Sequence, residues 1–303
     1  MKESTQFWLG LAVFGCAVAA LPPTLGNEYL IGVALTVFMW LALTPSWCVL
    51  SQLTGYVSLG HVVFYGIGAY LVVITWGQWP LWLAIPAAGL VSAVFALVVG
   101  GQVLRVRGPY FVILTFGLAE LIKFSIMAIE SGMGMAARIL FGAPDLLVIY
   151  WLMVGLAVIS VLLLGWVSTS RFGHGLRSLR ENEEAAETLG VPVVRYKLAA
   201  FVLSAVIPGM VGAVMALRST YFVVEQVFDP LVSVTVIAMA LLGGGDGVRG
   251  PIFGALFLAC MSELLWAKAP LLYMILLGGI LVVFVLLVPN GLVGLFQRFK
   301  VRE

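Results

Sequence analysis

Side chains able to do chemistry are scarce in this chain, and they crowd into one run. Between Ser168 and Lys197 (STSRFGHGLRSLRENEEAAETLGVPVVRYK) stand five of the sixteen Lys and Arg residues, Arg171, Arg177, Arg180, Arg195 and Lys197. Four of the fourteen acids join them: Glu181, Glu183, Glu184 and Glu187. Acid–base or metal chemistry would need clustered His, Asp or Glu. The two histidines, His61 and His174, lie far apart, and Cys16, Cys48 and Cys260 share no ligand or redox spacing. All three cysteines sit in apolar runs and read as small core residues. A Gly-rich run, LGGGDGVRGPIFGAL (242–256), could suggest a phosphate cradle, but no Gly-Lys pair occurs in the chain. Without that lysine a Walker-type loop cannot reach the terminal phosphates. No catalytic residue, no metal site and no ATP site are therefore expected. What the polar run specifies is a short rigid element. Ser178 followed by Glu181 forms a capping box, acids crowd the first turns, Gly190 suits a left-handed end, and Pro192 stops continuation. These signals predict one helix from Leu179 to Leu189. Leu179, Ala186 and Leu189 are expected on one narrow face of it, better suited to docking on a protein than to anchoring in lipid.

The elements that must position this run are apolar. Of 303 residues 62% are hydrophobic and 10% charged, far from soluble globular usage. Lipid can solvate such a surface. The fold class is an all-α polytopic membrane protein, a single transmembrane domain over 1–303 with 168–197 as a cytosolic loop within it. About ten transmembrane or half-spanning segments are expected, near 7–21, 29–50, 55–76, 79–103, 109–130, 146–167, 198–217, 228–244, 250–267 and 270–296. The first has features of a secretory leader but is read as an uncleaved span. The eighth and ninth are short and Gly-rich, so broken or half-spanning helices are expected there. With a cytosolic amino terminus, twelve Lys and Arg fall in inside loops and only Arg138, Arg218 and Lys268 outside. That bias places both termini and the polar run in the cytosol.

Within the spans, Gly60, Gly66 and Gly68 of GYVSLGHVVFYGIGAY (55–70) promise close helix approach. Glu120 and Lys123, one turn apart, are expected to pair, and nearby Glu130 suggests an end approaching water. His61 reads as a neutral histidine bonded to a neighbouring helix, with a role in the solute path as the alternative. A weakly polar path is expected where the third span meets the eighth, lined by Ser58, His61, Thr115, Ser233 and Thr235. Pro208-Gly209 predicts a kink in the seventh span.

Several of these stretches resemble a known family. Glu184-Ala185-Ala186, three residues and Gly190 is similar to the EAA motif of permease subunits in ABC importers. The wider run, together with SLGHVVFYGIGAY, RVRGPYFVILTFGLAELIK and LGGGDGVRGPIFGAL, resembles the LivM type of branched-chain amino-acid permease. The pattern departs in two places: Tyr56-Val57 stands where a Gly-Gln pair is usual, and Glu130 to Gly134 keeps only part of a Gly-rich signature. The resemblance implies a subunit of an importer in the bacterial cytoplasmic membrane. Its partners would be a second, LivH-like permease, two ATPase subunits that bind the ATP, and an extracytoplasmic solute-binding protein. Leu179, Arg180, Glu184, Ala185, Ala186, Leu189 and Gly190 would form the coupling surface toward the ATPase. Urea, short amides or another small solute are alternative cargoes. An ion-coupled secondary transporter is the competing class, but intramembrane charges are few (Glu120, Lys123 and Glu263 are the clearest) and the docking helix would go unexplained.

Overall fold

The computed structural model describes residues 22–24, 26–134, 138–140, 142–219, 221–244 and 247–268, with isolated positions at 275, 278, 279, 282, 291, 292 and 294. The first expected span and nearly all of the tenth lie outside the described residues, as does Cys16. The rest is helical: α1 (Glu28–Thr54), α2 (His61–Thr75), α3 (Leu81–Val103), α4 (Pro109–Gly132), α5 (Leu146–Thr169), α6 (Arg171–Glu181), α7 (Glu183–Thr188), α8 (Val193–Arg218), α9 (Val224–Val227), α10 (Pro230–Gly243) and α11 (Arg249–Lys268). A two-residue antiparallel ribbon pairs β1 (Arg138–Ile139) with β2 (Tyr221–Phe222). Seven stretches are long and apolar enough to cross a membrane among the described residues, Val224–Gly243 being counted as one. The chain is a multi-pass membrane protein, mostly helical among the described residues.

Local chemistry sets the boundaries. The Asn27 side chain accepts from Tyr29 N to start α1, and Gly55 ends it at φ 78. Pro109 opens α4 at its first position, where a missing N–H costs nothing. Asp229 caps α10 through Leu231 N. Pro45 and Pro208 both lie inside continuous helices. Near Pro45, Ser160 Oγ donates to the Ala42 carbonyl at 2.6 Å, and Ser46 Oγ reaches across to the Ser204 carbonyl at 2.9 Å.

α1 and α8 form the middle of the bundle, and Leu35, Ala42, Leu50, Ala205, Val211 and Val214 are fully buried along them. α3, α4 and α5 surround them and turn Leu90, Val98, Ile113, Leu121, Val158 and Leu162 outward. In water that surface would be an aggregation hazard; against hydrocarbon it is the expected exterior. Cys48 is buried as expected, whereas Cys260 is exposed on α11.

Glycine sets how close the central helices come. A Cβ on Gly68 would run into the Gly209 backbone, and one on Gly212 into that of Tyr65, so α2 and α8 cross almost backbone to backbone. Gly243 and Gly254 do the same for α10 and α11. Gly68→Ala is therefore expected to lower stability by about 1–3 kcal/mol, the usual cost of overpacking. Gly101→Ala, where a Cβ meets open space, serves as the neutral control. Thermal unfolding of the two purified variants checks this, and equal midpoints would argue against the close crossing.

Two expectations about the spans change. The ninth is an unbroken helix of 20 residues, because Gly250 and Gly254 pack against α10 instead of breaking the chain. The third begins only at His61, and residues 55–60 are not helical. The eighth, expected near 228–244, is one short continuous helix of 14 residues, α10, and the break at Phe228-Asp229 after the one-turn α9 lies at its start.

Candidate functional site

The polar run folds as two helices meeting at a corner, where one was expected. Asn182 is the reason. Its backbone is extended (φ −159, ψ 114), and its side chain accepts from Glu184 N and Ala185 N, so it ends α6 and caps α7 in one residue. Ser178 cannot form the expected capping box, since its hydroxyl donates to Gly175 O at 2.7 Å inside α6. The cap of α6 is Ser170, which accepts from Gly173 N. The far end matches expectation: Gly190 takes φ 86, while Gly190 N and Val191 N bond back to Glu187 O and Ala186 O.

The α6–α7 corner is clamped to the bundle by a charge network. Glu183 opens α7, and its carboxylate meets Lys197 Nζ at 2.8 Å, from the first turns of α8. It also accepts from Tyr56 OH at 2.7 Å and pairs with Arg107 at 2.8 Å. Lys197 Nζ further donates to Tyr56 OH at 2.7 Å and lies 4.7 Å from that ring's centroid. Lys197 is almost fully buried, whereas the Arg107 side chain is 60% exposed. Burial alone would raise the Glu183 carboxyl. Hydrogen bonds from Lys197 and Tyr56, with the charges of Lys197 and Arg107, outweigh it and hold the group below its ordinary value. The Tyr56 phenol moves up, first through burial and then through the neighbouring carboxylate. Arg180 Nη1 adds a second tie, donating to Gln52 O at 3.0 Å.

The expected coupling residues divide by location. Leu179 and Ala186 are buried against this chain's own core at 2% and 1% exposure. Leu189 is 82% exposed, so the three do not share a docking face. Arg180, Glu184, Ala185, Leu189 and Gly190 remain on the surface. Beside them opens a groove of about 890 Å³ between the 54–57 segment, the start of α4 and the α6–α7 corner. Four residues of the clamp, Tyr56, Arg107, Glu183 and Lys197, escaped the sequence reading. The available signal was Tyr56-Val57, the departure from the family's Gly-Gln pair.

The expected path residues serve as joints of the 55–62 segment. Trp47 Nε1 donates to Ser58 O at 2.9 Å, Leu59 N to Thr115 Oγ1 at 3.2 Å, Gly60 N to Ser58 Oγ at 3.2 Å, and Val62 N to Ser233 Oγ at 3.0 Å. Side chains thus take up the unpaired N–H groups at the start of α2, which an apolar setting requires. His61 Nε2 lies 3.1 Å from Ser204 Oγ on α8, bonded to a neighbouring helix as read from the sequence, and its Nδ1 has no partner among the described residues. His61 and Ser233 line a small cavity with Trp47 and Pro208. Thr235 stands apart, its hydroxyl donating to Leu231 O. Glu120 and Lys123 pair at 2.7 Å as expected. Glu130 does not reach water: it is buried, accepts from Tyr70 OH at 2.6 Å and pairs with Arg138 at 3.0 Å. No group of His, Cys, Asp and Glu able to hold a metal occurs among the described residues.

A bundle of apolar helices with a polar helix pair clamped at one end defines a multi-pass membrane protein. The chain belongs to the family described as branched-chain amino acid transport system permease component, whose model matches residues 29–285. It is 30% identical over 274 residues to the high-affinity branched-chain amino acid transport system permease protein LivM of Salmonella typhimurium, covering 79% of this chain and 64% of that protein. The chain thus spans a little under two thirds of that relative's length. It is 29% identical over 199 residues to the nucleoside ABC transporter permease protein NupC of Lactococcus lactis, covering 55% of this chain and 61% of that one. Over 115 residues it is 34% identical to the L-arabinose transport system permease protein AraH of Escherichia coli, covering 37% and 31%. No solved structure matches the chain.

Proposed function

We propose that this chain is a transmembrane subunit of an ABC importer in the bacterial cytoplasmic membrane, and that it carries branched-chain amino acids delivered by an extracytoplasmic binding protein. The observation that carries the reading is the tip of the polar run. Leu189, just past the end of α7, and Val194, in the first turn of α8, stand 82% and 74% exposed beside Glu184, Glu187 and Arg195, and α7 is fixed from behind by Glu183 and Ala186. Apolar side chains displayed from a rigid, charged element suit a protein surface better than lipid or water. In this reading α7 is the coupling helix and 168–197 the coupling loop. It seats in a cleft of an ATPase subunit, and two such subunits bind the ATP.

Mechanism follows from the clamp. Closure of the ATPases pushes on α7, and Glu183 passes the displacement to α8 through Lys197, to the start of α4 through Arg107 and to the 55–60 segment through Tyr56. Those elements bear on α2, which the Gly68 and Gly212 contacts couple tightly to α8. The bundle then rocks between outward and inward openings against a second, LivH-like permease. About ten spans, counting those near 7–21 and 270–296, put both termini in the cytosol with the coupling loop, as the bias of Lys and Arg requires. Ser58, His61, Thr115, Ser233 and Thr235 belong to the region through which the solute passes, and no residue of this chain does covalent chemistry.

A nucleoside or sugar cargo is the second reading, favoured by the similarity to NupC and AraH. Reconstitution with the ATPases, the second permease and the binding protein decides between them: ATP-dependent leucine uptake supports the first, and uptake of nucleoside or pentose alone replaces it. Orientation has its own test. A cysteine at Arg177 in a chain lacking the native cysteines should label only from the cytosolic side, and one at Arg138 only from outside. Labelling of position 177 in sealed cells would overturn the topology.

A further inference from the structure

At the end of the bundle opposite the Glu183 clamp lies a groove of about 490 Å³. Helix ends build it: Glu28 and Tyr29 open α1, Leu146 opens α5, Arg218 closes α8, and Glu263 and Trp266 stand near the end of α11. Arg218 Nη1 donates to Thr36 Oγ1 at 3.2 Å and forms no ion pair with a carboxylate among the described residues. Glu263 accepts from Tyr29 OH at 3.2 Å. One guanidinium and two carboxylates thus face a single groove without neutralising one another. Gly32, Val33, Leu146 and Trp266 supply an apolar wall between them.

We infer that this groove is a docking site for the zwitterionic head of a free amino acid with an apolar side chain. The Arg218 fork takes the α-carboxylate in two parallel hydrogen bonds, a geometry that guanidinium favours. The ammonium donates to Glu263 and Glu28, and the side chain lies along Val33, Leu146 and Trp266. The volume falls within the range of small-molecule sites, roughly 300–1,000 Å³. Arg218 and Glu28 are exposed, so water competes and binding is loose, as a site that must hand its cargo on requires. A neutral sugar can hydrogen-bond these groups through its hydroxyls but brings no charge to pair with the guanidinium or the carboxylates. The inference rests on the amino-acid importer reading, in which this end faces outward, where cargo arrives.

The test reads binding directly. Val33→Cys, in a chain lacking Cys16, Cys48 and Cys260, is modified with a methanethiosulfonate reagent in phosphatidylglycerol nanodiscs. L-leucine at about 20 mM is expected to slow modification about threefold, the occupancy of a loose site with a Kd of about 10 mM. Isoamylamine, which lacks the carboxylate, and 4-methylpentanoate, which lacks the ammonium, should leave the rate unchanged. Arg218→Gln and Glu263→Gln should each weaken leucine affinity about tenfold or more, the loss of one charge-assisted contact, and so nearly abolish protection at that concentration. Absent protection by leucine, or equal protection by all three compounds, overturns the site. So does protection by phosphatidylethanolamine in the disc with no further effect of leucine, which would make a lipid headgroup the occupant. Leucine uptake by the reconstituted importer is measured separately: protection without uptake sinks the importer reading and leaves the groove, and uptake without protection does the reverse.

Discussion

Glu183→Gln is expected to lower the stability of this permease by about 2–4 kcal/mol, just under the range for stranding one partner of a buried ion pair. The change leaves the Lys197 ammonium, almost fully buried, with the Tyr56 hydroxyl as its remaining partner in the clamp. Partial access of water to Glu183, whose side chain is 12% exposed, keeps the figure below the full penalty. Arg107→Gln removes the exposed member of the network and should cost no more than about 1 kcal/mol. The double variant Glu183→Gln with Lys197→Met should recover much of the loss, since an apolar replacement of a buried pair is often neutral. Unfolding of the purified variants, read as a double-mutant cycle, supplies the numbers. Acid adds a second reading. The Glu183 carboxyl titrates below its ordinary value when folded, so its contribution is complete above the unfolded value and lost as pH falls through the folded one. Wild type should lose that increment in acid, and Glu183→Gln should have none to lose. If Glu183→Gln costs no more than Arg107→Gln, α7 is held by something else.

How far the sequence spoke depended on how local the determinant was. Apolar runs of span length placed α1, α3, α4, α5 and α8 within a few residues, because the hydrophobic requirement of a bilayer acts on each segment separately. The glycines of 60–68 pointed to close packing, and Gly68 does meet Gly209. Gly190 was legible too, since a left-handed helix end needs only itself. The α6–α7 corner was not. Ser178 and Asn182 compete for the role of cap, and propensity ranks them nearly alike; the choice fell to Asn182 once burial of Leu176 and Leu179 fixed the course of α6. The clamp was harder still, because Tyr56, Arg107, Glu183 and Lys197 come from four separate segments. A lysine in the first turns of an apolar helix reads as a snorkelling residue until its carboxylate is found. The polar residues Ser58, Thr115 and Ser233 were found by type, but hydroxyls in a bundle serve backbone N–H groups as readily as a solute.

Leu189→Arg is expected to leave the fold intact and to cut association with the ATPase subunits about tenfold to a hundredfold, the range for losing an apolar interface hot spot. The choice of residue follows from burial. Ala186 stands in the EAA-like motif, which makes it the natural probe by spacing, yet at 1% exposure it packs against this chain. Ala186→Arg would force a long cation into the contact that seats α7, so lost association would report misfolding and docking alike. Leu189 presents 82% of its surface, follows the last turn of α7, and is succeeded by Gly190 at φ 86. Arginine there costs no burial within the subunit. In an interface it removes apolar contact and sets a cation against whatever received the leucine. Gly190→Val supplies the complementary case: a Cβ at that glycine meets open space, so any defect arises from backbone strain moving the end of α7. Leu189→Arg should melt within a degree or two of wild type if the surface is free in the isolated subunit, since exposed sites change stability by about 0.5 kcal/mol or less; Gly190→Val should lose about 1–2 kcal/mol more to its left-handed backbone. Co-purification with the ATPases and ATP hydrolysis stimulated by the binding protein are the readouts. Normal association and turnover in Leu189→Arg would remove α7 as the coupling surface, and the importer reading would then rest on family membership alone.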